Sequence, residues 1–271
     1  MLEIRNVHKT FNPGTINEKH ALNGVNLKLE EGDFVTVIGG NGAGKSTMLN
    51  AVAGTWPVDD GSILIDGVDV TGLPEFKRAS FLGRVFQDPM TGTATTMSIE
   101  ENMAIAARRG KSRGLRWGIT KAEREKYRQM LSTLHLGLED RLTSKVGLLS
   151  GGQRQRIAIA RGLMLDPDVV VADEPVSALD VSVRAQVLNL MMDLQAELGL
   201  SYVFISHDLS VVEHIADEVI VMYLGRCVEM GTKAQIFTNP QHPYTQALLS
   251  ATPRLSPELR RQRIKLTGEL P

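Results

Sequence analysis

Cysteine is nearly missing from this sequence: Cys227 is alone among 271 residues, which rules out a disulfide within the chain and makes a reducing cytosol the expected setting. Long apolar runs are missing too. No segment approaches the roughly 18 consecutive apolar residues that cross a bilayer, so any tie to a membrane is expected to run through a partner. The opening residues Met1-Leu2-Glu3-Ile4-Arg5-Asn6 carry no apolar targeting segment. Neither sign of charge is in excess: 30 Lys and Arg against 31 Asp and Glu leave a formal net charge of −1, which removes the electrostatic case for a nucleic-acid partner. Basic residues do cluster from Arg108 to Arg116, a run that reads as a solvated loop. Internal repeats and low-complexity segments are absent. The length suits one large α/β domain or two small ones, and an apolar fraction of 42% is ordinary for a packed protein.

What is present is concentrated first in Gly39-Gly40-Asn41-Gly42-Ala43-Gly44-Lys45-Ser46-Thr47, which fits the phosphate-loop pattern of Gly, four residues, then Gly-Lys-Ser. Glycines suit a backbone that curls around a phosphate chain with its N–H groups inward, in conformations where a Cβ would strike the ligand. Lys45 can reach the terminal phosphates, Ser46 can offer its hydroxyl to Mg²⁺, and the helix that starts there turns its positive end to the anion. The flanks agree: Phe34-Val35-Thr36-Val37-Ile38 reads as a buried strand and Ser46 to Ala53 as a helix. Strand, loop and helix in that order point to a nucleoside triphosphate rather than to a glycine-rich surface turn.

Along the chain, Leu2 to Val7 and Val25 to Leu29 alternate with period two and predict edge strands of an antiparallel sheet. Asp66-Gly67 between Ser62-Ile63-Leu64-Ile65 and Val68-Asp69-Val70 predicts a hairpin. Helices are expected over Glu100 to Ala107, Lys121 to Leu134 and Gly151 to Leu165. Beyond Asp166-Pro167 the pattern alternates: strand Val169 to Ala172, helix Val183 to Leu198, strand Tyr202 to Ile205. Such alternation implies a parallel sheet with crossover helices. The proline-rich, polar tail past Gly231 reads as a peripheral extension.

Leu149-Ser150-Gly151-Gly152-Gln153 is the next informative segment. Ser150 and Gln153 stand at capping-box spacing. Two consecutive glycines in a first helical turn cost stability, and imply that an anion approaches bare backbone there.

With both glycine motifs in one chain, the sequence resembles the ATP-binding subunit of an ABC transporter over nearly its whole length. The resemblance implies an α/β P-loop NTPase with a mixed, largely parallel core sheet, an N-terminal antiparallel β-subdomain and an inserted helical subdomain. The implied ATPase domain covers 1–230, with its core at 1–86 and 166–230, helices at about 87–165, and an extension at 231–271. It implies that two such subunits, alike or different, pair head to tail, the Leu149 to Gln153 segment of one closing on ATP held by the other's phosphate loop. Permease subunits in the membrane would be driven by that closure, holding the chain at the inner face of the cell membrane.

Further residues match the family's pattern. Asp173 resembles the Mg²⁺ carboxylate and Glu174 the general base, both at the end of an apolar strand where charge needs a cation or water beside it. His207 resembles the switch histidine at the γ-phosphate, Gln87 the hinge glutamine that touches Mg²⁺ or water, Ser177-Ala178-Leu179-Asp180 the loop crossing the dimer seam, and Phe11 the ring on which adenine stacks.

The two halves differ in which subfamily they resemble. Up to about Gly152 the sequence is similar to amino-acid-type or uncharacterised importer ATPases; from Gln153 on, including Asn239 to Thr245, it is similar to dipeptide and oligopeptide importer ATPases. A chimera joined near 149–156 is therefore expected, with 35–38 and 169–172 pairing across the join. Two alternatives follow: a hybrid that binds nucleotide without coupling to a permease, or a soluble ABC ATPase outside transport. The peptide-importer relatives carry a cysteine-containing extension after Leu270-Pro271, whose role is not expected of this sequence.

Overall fold

The structure, a computed structural model, describes residues 1–111, 118–133 and 137–251. Its first strands are β1 (Leu2–Phe11) and β2 (Lys19–Leu29), followed by β3 (Phe34–Ile38) and, after the glycine loop, α1 (Lys45–Ala53). Then come β4 (Asp60–Ile65), β5 (Val68–Asp69), α2 (Glu75–Arg78) and β6 (Leu82–Val85). Short α3 (Pro89–Gly92) leads to α4 (Ile99–Ala107), α5 (Lys121–Thr133) and α6 (Gly151–Leu163). The chain re-enters the sheet with β7 (Val169–Asp173), α7 (Val181–Leu198), β8 (Ser201–Ile205), α8 (Leu209–Ile215) and β9 (Glu218–Tyr223). It closes with β10 (Arg226–Thr232), α9 (Lys233–Thr238) and α10 (Pro243–Ser250). Residues 112–116 of the basic run, the predicted helix end at Leu134, and the prolines at 253, 257 and 271 lie outside the described residues.

Two sheets result. The antiparallel one runs β2-β1-β4-β5, so β1 is an inner strand rather than the predicted edge, flanked by both β2 and β4. The second runs β10-β9-β3-β8-β7-β6; its strands are parallel except β10, which hairpins back on β9. Every residue of β3 and β8 is buried, as strands covered on both faces require, and this is why their sequences read as continuous apolar runs instead of alternating. The expected pairing of 35–38 with 169–172 does not occur: β8 lies between β3 and β7 and bonds to each.

One apolar layer joins the parallel sheet to α4–α7 and holds the Phe34 and Tyr202 rings stacked at 4.7 Å. A second fills the space between the two sheets and around α1, with Leu2, Ile4, Val37, Met48 and Val171. A third takes in part of the tail: Ile236, Phe237 and Leu249 pack with Ile38, Val212, Val219 and Val221, so α9 and α10 are packed onto the parallel sheet. Arg78, only 1% exposed, ties α1 down. Its guanidinium donates to the carbonyls of Ala51 (2.7 Å) and Val52 (2.9 Å) in the last turn of α1, and to those of Leu73 and Thr71 (2.8 Å each). A cation suits a helix C-terminus, where the final carbonyls have no partner within the helix.

Candidate nucleotide site

The glycine loop leaves β3 and enters α1 without a side-chain cap, its last non-helical residue, Gly44, lying in the left-handed region at φ 99°. A Cβ there would sit 2.5 Å from the Ala21 carbonyl, and one on Gly39 would sit 2.3 Å from that of Met222, so backbone from β2 and β9 closes around the loop. Gly225, in the β9–β10 turn, donates its N–H to Ala43 O at 3.0 Å. Lys45 folds back into the loop and donates to the carbonyls of Gly39 (2.8 Å) and Gly40 (3.0 Å). Burial pushes its ammonium below the ordinary lysine value, opposed by the charges of Glu174 and Asp173. The loop's bare backbone and the buried cation suit an anion chain.

Opposite the loop, the end of β7 delivers two carboxylates. Ser46 Oγ donates to Asp173 Oδ1 at 3.2 Å. Burial pushes the Asp173 carboxyl up, and the neighbouring Glu174 charge adds to this, while the Ser46 hydroxyl, Arg84 and Lys45 hold it down. One hydroxyl and one carboxylate match how Mg²⁺ is usually held, through one or two protein oxygens with phosphates and waters completing the shell. Among the described residues no three His, Cys, Asp or Glu converge on a metal position.

Glu174 takes a left-handed conformation, φ 45°, which turns its side chain out of the strand, and its N–H donates to Ile205 O on β8. Its Oε2 accepts from Gln87 Nε2 at 3.2 Å and stands 3.0 Å from His207 Nδ1. Gln87, just past β6, also donates to Ser177 Oγ at 3.2 Å, and that hydroxyl donates back to Glu174 O. Three segments far apart in sequence thus meet on one carboxylate. The turn bearing His207 is held by Arg184, which pairs with Asp208 at 2.8 Å, and by Asp208 capping α8.

Phe11 ends β1, edge-on to Trp56 with ring centroids 5.0 Å apart. It pairs with Lys19 across the β1–β2 ladder, and Lys19 Nζ lies 3.8 Å from where a Cβ on Gly42 would be. The ladder therefore carries the aromatic residue to the flank of the glycine loop. Among the described residues, no hydrogen bond joins Ser150 to Gln153 with the glycine loop. Instead Ser150 and Gln153 form a complete capping box at the start of α6. Gly152 has a packing reason of its own, since its Cβ would lie 2.4 Å from Val183 Cγ1 on α7; Gly151 meets only ordinary contact.

Residues 22–177 match the ABC transporter family, and residues 228–271 match the family described as the C-terminal region of oligopeptide/dipeptide transporters. The chain belongs to the ABC transporter family, as an ATP-hydrolysing subunit. Among its relatives, the dipeptide transport ATP-binding protein DppF of Haemophilus influenzae is 56% identical over 93% of this chain and 76% of its own length. The oligopeptide transport ATP-binding protein OppF of Streptococcus mutans is 40% identical over 97% and 85%. Two solved structures share the ABC fold: the cassette MJ0796 in a dimeric post-hydrolysis state with ADP and Pi (TM-score 0.73, 31% identity, 86% of this chain and 99% of that one), and the ADP conformation of MJ1267 (0.78, 26%, 93% and 99%).

These relatives remove the case for a chimera. The DppF match covers 93% of this chain and so runs through 149–156, with no amino-acid-type origin needed for the first half. Contacts across the supposed join are also closely fitted: a Cβ on Gly83 would lie 2.8 Å from Gly162 O, and Gln155 Nε2 reaches Phe86 O. No local motif marks Lys19, Arg84 or Arg184: strand register brings Lys19 and Arg84 to the site, and α7 brings Arg184.

Proposed function

We propose that this chain is the ATPase subunit of a dipeptide or oligopeptide importer, working at the inner face of the cell membrane as one of two paired ABC subunits that drive permease subunits. The observation that carries the reading is the convergence of Lys45, Ser46, Asp173, Glu174, Gln87 and His207 around one glycine loop, in a chain whose relatives are named as peptide transport ATP-binding proteins. Residues 1–86 and 166–230 form the proposed core, about 87–165 the helical subdomain, and 231–271 the extension.

In this reading the loop of Gly39, Gly40, Asn41, Gly42, Ala43, Gly44, Lys45, Ser46 and Thr47 cradles the phosphates, and the Lys45 ammonium, with three donors, reaches them while still holding Gly39 O. Ser46 and Asp173 would hold Mg²⁺, with Gln87 beside it; the ion neutralises charge building on the transferred phosphoryl group. Glu174 aligns and deprotonates water, His207 senses the γ-phosphate, and Phe11 stacks on adenine. Most of the rate gain in such a site comes from positioning and charge stabilisation, which fits Lys45, Gln87 and Glu174, each held by two partners. Ser150, Gly151, Gly152 and Gln153 serve the partner subunit's nucleotide, their bare backbone and helix N-terminus facing the anion. Coupling to the permease runs through Gln87 and the helices. A cleft of about 470 Å³ between the two regions, lined by Leu73, Phe76, Phe81, Arg109 and Leu165, offers apolar surface to a partner.

Peptide-stimulated ATP hydrolysis by the chain reconstituted with a peptide permease tests this. The parent is expected to turn over and Lys45→Ala to lose tight nucleotide binding; unchanged ATP affinity in Lys45→Ala would contradict the site, and ATP turnover indifferent to any permease would contradict the transport role.

A further inference from the structure

Helix α10 reaches the phosphate loop. Gly40 donates its N–H to Tyr244 Oη at 2.7 Å, from a residue 204 positions away. The Tyr244 ring is stacked on Tyr223, with centroids 4.2 Å apart and planes at 29°. Its helix is fixed at the start: His242 Nδ1 accepts from Tyr244 N, and the Glu229 carboxylate on β10 accepts from the N–H groups of Gln241 (2.7 Å) and His242 (3.0 Å).

The peptide group between Gly39 and Gly40 is held at both ends. Its N–H donates to Tyr244, while its carbonyl, Gly39 O, accepts from Lys45 Nζ. In a trans peptide these two groups point in opposite directions, so the tyrosine and the lysine grip the plane from opposite sides. A peptide flanked by two glycines has little steric preference for either orientation, because neither residue carries a Cβ. Its orientation is set by the partners at its two ends, Lys45 Nζ from within the loop and the Tyr244 hydroxyl from outside it. A Cβ on Gly40 would stand 3.1 Å from that same oxygen, so the absent side chain and the hydroxyl are matched.

We propose that Tyr244 is a positioning residue of the nucleotide site: its hydroxyl fixes the 39–40 peptide, keeping the carbonyl turned toward Lys45 and the loop shaped for a triphosphate. The proposal rests on the nucleotide reading above. It also gives the C-terminal region shared with peptide-transport relatives a direct line to the phosphate loop, since residues 228–271 contain Tyr223's stacking partner and its helix. Losing the hydroxyl frees the peptide to flip and should weaken ground-state binding, leaving the chemical step untouched once nucleotide is bound.

The test uses Tyr244→Phe, which keeps the ring and its stack. Titration with a fluorescent ATP analogue and Mg²⁺, together with kcat and KM for ATP, is run on the parent and the variant. In Tyr244→Phe, affinity should fall about fivefold to tenfold, the size of one hydrogen bond, with kcat within about twofold of the parent. A loss confined to kcat, or no loss of affinity, would overturn the proposal. A parent that binds no nucleotide would instead defeat the nucleotide reading itself.

Discussion

Asp173 shows most plainly how the site strains against the fold. A carboxylate at the end of a buried strand, next to a second carboxylate, is held in its charged form against desolvation, and its pKa is raised accordingly. A carboxyl whose folded value is raised contributes stability below its ordinary range, and loses that contribution as pH climbs through the raised value. Asp173→Asn keeps the shape and an acceptor for Ser46. In the absence of nucleotide it should therefore raise Tm by about 2–4 °C at pH 7, for a relief on the order of 1 kcal/mol. The gap over the parent should shrink as the solution is acidified from pH 7, because the parent's carboxyl then takes up its proton. Thermal unfolding of both proteins across that range checks it; a gap that widens on acidification would contradict the sign. The same substitution should abolish Mg²⁺-dependent nucleotide binding.

Among the elements, two contacts decide how the motif-bearing helices sit. Arg78 closes the C-terminus of α1, and Gly54 has room for no Cβ because the Arg78 side chain fills that space at 2.7 Å. Arg78→Met leaves carbonyls of Ala51, Val52, Leu73 and Thr71 without this donor and should cost roughly 2–4 kcal/mol, read as a lower denaturant midpoint at unchanged slope. At the start of α6, Gly152→Ala drives a methyl into Val183 and should cost roughly 1–3 kcal/mol. Adding Val183→Ala should restore stability. If Gly152 also bares its backbone to a phosphate, the double variant will be stable yet slow in ATP hydrolysis; full recovery of activity would leave packing as the glycine's sole reason.

The elements also show what could be read from the chain in advance. Phe34 to Ala53 carries its own instructions, with β-branched residues for the strand, glycines for the turn and an apolar run for α1, so strand, loop and helix were legible locally. Val183 to Leu198 was legible for the same reason, although α7 begins at Val181. The short α8, α9 and α10 and the hairpin β9–β10 were not, because what makes them regular is burial against Ile38, Val212 and Val221, contacts set by topology. Tyr244 belongs to that class: nothing near it in sequence points to Gly40. The doubled glycine at 151–152 was legible as unusual, but half of its cause sits on α7.

For the molecule as a whole, the parallel sheet gathers residues 39–47, 87, 173–174 and 207 at one end, whereas Ser150 to Gln153 start α6 without a hydrogen bond to that cluster among the described residues. In the proposed function these two segments serve one nucleotide only when two chains pair, so the second subunit would belong to the catalytic unit. Glu174→Gln gives the most direct measurement, because it keeps the hydrogen-bonding shape at Gln87 and removes the proposed base. Run on size-exclusion chromatography with and without ATP and Mg²⁺, and assayed for phosphate release, the variant should bind ATP, shift from monomer to a lasting dimer only when ATP is present, and release no phosphate above background. A variant that stays monomeric with bound ATP, or hydrolyses it at the parent rate, would contradict the paired site with Glu174 as its base.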